Sequence, residues 1–408
     1  MARVTQALYQ ASLADVDETV RVQLEKAGLA RRIKPKMKIA ITAGSRGIAG
    51  LPAVLKSITS FVKARGAKPF IVPAMGSHGG ATAEGQVKVL NSIGVTEKSV
   101  GAPIRSSMKT VTIGQISPTV PVHMDAFAVK ADGIIVVNRV KEHTDFSAQV
   151  ESGLMKMMAV GLGKHEGACA LHSPGIGRMS ETVVKASRLI FSKTKILCGV
   201  AVLEDAYQNV AHIEAFAPRR IEEGDRRLLR RAKRHAARLP FAEIDVLVVE
   251  RIGKEISGTG MDPNVTGRYA FEARRGKQTH CRTVVVLGLT RETKGNALGL
   301  GMADITTARV VEGMDVDSTY ANVLTSGSFA FARVPVVLRN DQEAITAALV
   351  SGLDKSPEEV RLVRIRDTLH LDSLFVSEGL LAEAKANPSL TVEENLRSMK
   401  FDAAGNLV

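Results

Sequence analysis

The chain has 408 residues, 45% of them hydrophobic and 24% charged, and carries a formal net charge of +13. Those proportions belong to a globular protein long enough for two cores, and they exclude an intrinsically disordered chain. No apolar run approaches the ~18 residues of a membrane span and no basic-then-apolar leader opens the sequence, so a cytoplasmic protein without membrane contact is expected.

From residue 38 onward, short apolar runs alternate with helix-like segments: "KIAIT", "LPAVLKSITSFVKARG", "KPFIV", "AEGQVKVLNSIG" and then "GIIVVNRV". This alternation predicts βαβ units around a largely parallel sheet. The segment "RRIEEGDRRLLRRAKRHAARL", Arg219 to Leu239, reads as an amphipathic helix with a solvated basic face, because acidic residues and Leu228/Leu229 interrupt the charge. A second series of runs follows, "IDVLVVERIG", "RTVVVLGLT", "VPVVLRN" and "VRLVRIRD". The expected fold is therefore α/β, two α/β domains with largely parallel sheets and the active site in the cleft between them. The boundaries expected are an N-terminal domain over 1–240, a C-terminal α/β domain over 241–375, and a helix and tail over 376–408 that could pack back on either domain.

The basic balance suits a small anionic ligand. At 4% aromatic residues and no Trp, the chain has little material for stacking bases, so no nucleic-acid partner is expected. Cys169, Cys198 and Cys281 are too scattered for a disulfide framework or a Cys-based zinc site.

Polar chemistry collects where strands hand over to helices, the edge at which open α/β sheets bind ligands. The loop "TAGSRGIAG" offers Arg46, whose guanidinium suits a carboxylate or phosphate. The loop "PAMGSHGGATAEGQ" puts His78 among glycines that let the backbone approach a ligand closely. His143 follows "GIIVVN", and Lys156 sits in "SGLMKMM", where an ammonium needs a partner or a covalent use. His165 and His172 follow, seven residues apart, a wider spacing than a zinc pair usually takes.

Taken in order, these elements resemble the lactate racemase family, whose members use a nickel-pincer nucleotide. The family's pattern has an Arg-bearing loop after the first strand, a "G-[ST]-H" loop, a His, then "S-G-x-x-K" and a nickel-binding His sixteen residues beyond that lysine. Here Arg46 in "GSRG", His78 in "GSH", His143, Lys156 in "SGLMK" and His172, sixteen residues past Lys156, match it. The resemblance covers roughly the first 180 residues closely.

The resemblance implies a racemase or epimerase that inverts the α-carbon of a 2-hydroxy acid by hydride transfer. Lys156 would hold the nickel-pincer nucleotide through a thioamide, His172 would ligate nickel, His78 and His143 would be the acid/base pair, and Arg46 would bind the substrate carboxylate. Partners implied are a small anionic 2-hydroxy acid and the enzymes that make and insert the cofactor. Ala43 stands where the family has an aspartate, and Arg268 in "SGTGMDPNVTGR" replaces a substrate-facing lysine, which suggests a different 2-hydroxy acid. Two other classes compete. A nicotinamide-dependent oxidoreductase lacks its "GxGxxG" after the first strand; a non-enzymatic basic binding protein would require neither Lys156 nor His172.

Overall fold

A computed structural model describes residues 1–45, 47–270, 279–393 and 395–408. The chain divides into two units, Gln10–Ala236 and Met1–Tyr9 joined with Ala237–Val408. Both are α/β, as the alternation predicts, with mostly parallel sheets. Among the described residues no helix is long and apolar enough to cross a membrane.

Strand β1 (Ala2–Gln6) opens the chain. The unit Gln10–Ala236 then carries β2 (Lys38–Ala43), β3 (Lys68–Pro73), β4 (Thr110–Ser117), β5 (Val120–Asp125), β6 (Gly133–Arg139), β7 (Ile196–Glu204) and β8 (Val210–Phe216). Five of them form a sheet in the order β3-β2-β6-β7-β8, while β4 and β5 pair as a separate antiparallel ribbon. All neighbours in the larger sheet are parallel except β7 and β8. Helices cover both faces, so alternate residues of one strand enter different cores: Ile39 and Ile41 lie in one, Ala40 in the other. Burial on both faces is why these strands read as unbroken apolar runs.

The helices that matter below are α1 (Val16–Lys26), α2 (Leu51–Lys63), α3 (Ala83–Ser92), α4 (Lys164–His172), α5 (Met179–Lys193) and α6 (Ile221–His235). Their starts follow local chemistry. Asp15 caps α1 through the Glu18 N–H, and Thr82 caps α3 through the Gly85 N–H. Helix α6 is the expected basic helix, with Ile221, Leu228 and Leu229 buried, but its buried stripe also holds a carboxylate, Asp225.

The second unit contains β9 (Glu243–Val249), β10 (His280–Val286), β11 (Ile305–Thr307), β12 (Val336–Leu338), β13 (Leu362–Ile365), β14 (Ser373–Val376) and β15 (Leu390–Val392). With β1 they form one sheet in the order β12-β11-β10-β9-β13-β14-β1-β15. Two boundaries differ from the sequence reading. Residues 1–9 belong to this unit, because β1 pairs antiparallel with both β14 and β15. The 376–408 segment belongs to this unit as well: β15 extends this sheet, and Met399, Phe401 and Leu407 pack against its core.

Candidate functional site

In the first unit the chain runs from β2 outward to β3 and returns to place β6 on the other side of β2. In open α/β sheets such a reversal marks where ligands bind, here outside the carboxyl ends of β2 and β6. The ladder itself stops early. β2 and β6 pair only from Ile39–Gly133 to Ile41–Ile135; beyond that, the Thr42 hydroxyl accepts the Val137 N–H at 2.8 Å and donates to the Val137 carbonyl at 3.1 Å. A side chain thus takes over from backbone pairing and the strands part. The loop that follows comes close to the lysine segment, since a Cβ added at Gly44 would sit 3.2 Å from Met157 Cε.

Lys156 lies at the end of a helical turn, Leu154–Lys156, that runs into a π-helix over Met157–Gly161. Such irregular turns recur at functional sites. The first N–H groups of the turn would be orphans in the core, and Asp225 of α6 takes them: Oδ1 accepts from Leu154 and Oδ2 from Met155, each at 2.9 Å. Complete burial pushes the Asp225 carboxyl up to about 6, although the two backbone bonds oppose the shift. The carboxylate comes so near that a Cβ at Gly153 would fall 2.2 Å from Oδ1, so the "SG" of this motif has a packing reason. Ser187 Oγ of α5 donates to the Met155 carbonyl at 2.8 Å and pins the turn from another side.

His143 reaches Lys156 directly, Nε2 against Nζ. Its Nδ1 accepts the Asp145 N–H at 3.0 Å, and Phe146 stacks on the ring with centroids 4.3 Å apart. The loop is held from beneath by Glu151, a buried carboxylate. It accepts the His143 N–H at 2.8 Å and the Ala148 N–H at 2.7 Å, and Lys233 of α6 neutralises it at 2.5 Å.

His172 closes α4. Its Nδ1 donates to the Ala168 carbonyl at 2.6 Å, one turn back, which leaves Nε2 as the unprotonated nitrogen of the neutral ring. Burial, chiefly, and the nearby Lys156 charge pull its imidazole below the usual value, against the pull of the Ala168 carbonyl and of Asp145. His172, Lys156 and the His143 loop therefore share one electrostatic neighbourhood. His165, seven residues earlier, is exposed and faces Cys169 Sγ at 3.7 Å.

His78 sits in the loop after β3, and its Nδ1 lies 2.5 Å from Ser45 Oγ in the loop after β2. The His78 loop is braced by Gln86 of α3, whose Nε2 donates to the Gly76 carbonyl at 2.9 Å. Lys164, wholly buried, donates to Gln86 Oε1 at 2.9 Å and to the Pro73 carbonyl at 2.5 Å. It also lies 3.2 Å from Asp125 Oδ2, an ionic contact without the alignment of a hydrogen bond. Burial lowers the Lys164 ammonium and raises the Asp125 carboxyl from their usual values, and their attraction opposes both shifts.

Of the residues singled out from sequence, His143 and Lys156 meet, His172 joins them electrostatically, and His78 is tied to the β2 loop through Ser45. Arg46 lies outside the described residues. Arg268 belongs to the other unit, and its guanidinium is occupied: it grips Asp304 at 2.7 and 3.2 Å and donates to the backbone carbonyls of Cys281 and Arg282. That is a structural use of the fork. The sequence reading missed Ser45, Gln86, Glu151, Lys164 and Asp225. Asp225 alone had a signal, a carboxylate four residues after Ile221 on an apolar stripe.

Residues 32–216 match a family described as "Domain of unknown function (DUF362)". No curated protein matches the chain. Among solved structures the chain is similar to a Thermotoga maritima protein, at 14% identity over 68% of this chain and 72% of that one, with a TM-score of 0.49. It is also similar to the lactate racemase apoprotein from Thermoanaerobacterium thermosaccharolyticum, at 13% identity over 90% of this chain and 92% of that one, with a TM-score of 0.48.

Proposed function

We propose that this chain is a racemase or epimerase of a small 2-hydroxy acid that works with a nickel-pincer nucleotide held at Lys156 and His172. One observation carries the reading: an amine engaged by an imidazole, Lys156 with His143, lies in the neighbourhood of a second imidazole whose Nδ1 is spent on its own backbone. The residues fit such a group. A lysine beside a histidine is set up for covalent attachment, and His172 presents the nitrogen of a metal-ligating tautomer. Among the described residues no three His, Cys, Asp or Glu side chains cluster as a metal cage. A metal at His172 must therefore arrive with most of its own donors.

When bound, the nucleotide supplies a centre that takes up and returns the α-hydrogen of the substrate as hydride. The chain's own residues do the rest. Ser45 holds the His78 ring through Nδ1, so proton exchange with the substrate hydroxyl falls to Nε2. His143 is fixed at Nδ1 by the Asp145 N–H and also works through Nε2. Lys156 would hold the nucleotide through its Nζ, beside the His143 ring. Two imidazoles near neutrality suit a reaction in which each enantiomer needs its own base. Arg46 carries the carboxylate-binding role in this reading.

The experiment is intact-mass and metal analysis of protein produced together with the cofactor-synthesis enzymes. An adduct on the Lys156 peptide with one nickel per chain is expected, and Lys156→Ala should lose both. His172→Ala should lose nickel more readily than adduct; equal retention would redirect the ligand role to His165. Active protein with an unmodified Lys156 would overturn the reading.

A further inference from the structure

We propose that the second unit holds an anion site of its own, at the point where its sheet reverses direction, for a small organic phosphate. From β9 the chain steps through β10, β11 and β12 to one edge, then returns to set β13 on the other side of β9. β9 and β13 run parallel, with Val249 beside Ile365 at their carboxyl ends. Connections leaving such neighbours head in opposite directions and leave a crevice, the place where α/β sheets take ligands.

Glu250 and Arg366 directly follow those two strands, and both line a cavity of about 760 Å³. That is the size of a small-molecule site rather than of a bare ion. Arg364 and Phe375, cross-strand partners on β13 and β14, also line it, with the guanidinium 4.1 Å from the ring centroid. The Arg364 side chain is only 14% exposed. Its Nε lies 3.2 Å from Glu250 Oε1 in an ionic contact without the alignment of a hydrogen bond. Glu250 and Phe375 thus hold the guanidinium in the wall of the cavity, a fixed positive charge beside the space. Burial chiefly pushes the Glu250 carboxyl above its usual range, which weakens its opposition to an incoming anion.

Arg397 and Lys400, from the tail, line the same cavity, and among the described residues neither side chain forms an ion pair. Five Lys or Arg side chains in all face three Asp or Glu carboxylates there. Several guanidinium forks and an ammonium around one space match the oxygens and double charge of a phosphate ester, and the remaining volume takes its organic part.

The test is calorimetric titration of the full chain with ribose 5-phosphate, inorganic phosphate and citrate at low salt. Ribose 5-phosphate should bind, and more weakly as salt rises. Arg397→Ala with Lys400→Ala should weaken it by about tenfold or more, and Arg366→Ala gives an independent reading; all three side chains are exposed, so the variants should fold. Lys156→Ala should leave binding intact. Four results would overturn the site: no binding of the ester, unchanged binding in the tail variant, loss of binding in Lys156→Ala, or citrate preferred over the ester. Inorganic phosphate bound as tightly as the ester would mean an adventitious ion only and would equally overturn it.

Discussion

Lys156 and His143, thirteen residues apart in sequence, meet at Nζ and Nε2 while the Asp145 N–H occupies Nδ1 of the same ring. An imidazole held against an amine can take up and return its proton and so favour acylation of that amine. Lys156 is therefore expected to react with an amine-directed acylating reagent at neutral pH ahead of exposed lysines, as read by peptide mass spectrometry. His143→Ala should slow this roughly tenfold. Labelling no faster than that of surface lysines in the native protein would count against the arrangement.

Asp225 ties α6 to the lysine turn, and its titration should be visible in stability. The ordinary value for its carboxyl is 3.8 and in the fold it is about 6. On acidification from neutrality the folded protein takes up this proton before the unfolded chain does. Between pH 4 and 6 the folded state thus binds more protons, and this group's contribution to stability falls as pH rises through that window. Asp225→Asn should flatten that slope. It should also cost about 1–3 kcal/mol, because an amide cannot accept from both the Leu154 and Met155 N–H groups with its NH₂ end. Thermal melts across this pH range measure both effects, and an unchanged slope would show that Asp225 is not the group responsible.

The sheet of the first unit was legible because its strands are buried on both faces and show as apolar runs between helix-like segments. The loops bearing His78, His143 and Lys156 were legible because each follows such a run or opens the next helix. β1 was not, since "ARVTQ" carries no mark of partners at residues 373–376 and 390–392. The place of the tail was open for the same reason: pairing between distant segments is a tertiary choice. The partner of Arg268 was not legible either: Asp304, thirty-six residues on, provides a carboxylate within the fold.

Lys164 and Asp125 form a buried pair beneath the His78 loop, and Lys164 also takes up the Pro73 carbonyl and Gln86. Lys164→Met leaves the Asp125 carboxyl buried without its partner, which typically costs about 3–5 kcal/mol. Adding Asp125→Asn should recover part of that loss, because the stranded charge is gone. Chemical denaturation of the single and double variants measures the coupling. If the two losses simply add, the pair is not an interacting unit.

Ser45 bonded to His78 links the first two loops of the site, and the proposed reaction makes their roles measurable separately. With a panel of short 2-hydroxy acids and loaded protein, His78→Ala and His143→Ala should each cut interconversion by roughly 10²-fold or more, the scale of lost acid/base catalysis. Ser45→Ala removes only the ring's orienting bond, so its loss should be smaller, roughly tenfold. Because the proposed chemistry moves the α-hydrogen as hydride and only the hydroxyl proton through the imidazoles, deuterium at the α-carbon should be largely retained in the product. Exchange of that label with water as fast as inversion would mean that a base removes the α-proton directly. The histidines would then still be essential, but Lys156 and His172 would have no cofactor to hold, and the hydride reading would fall.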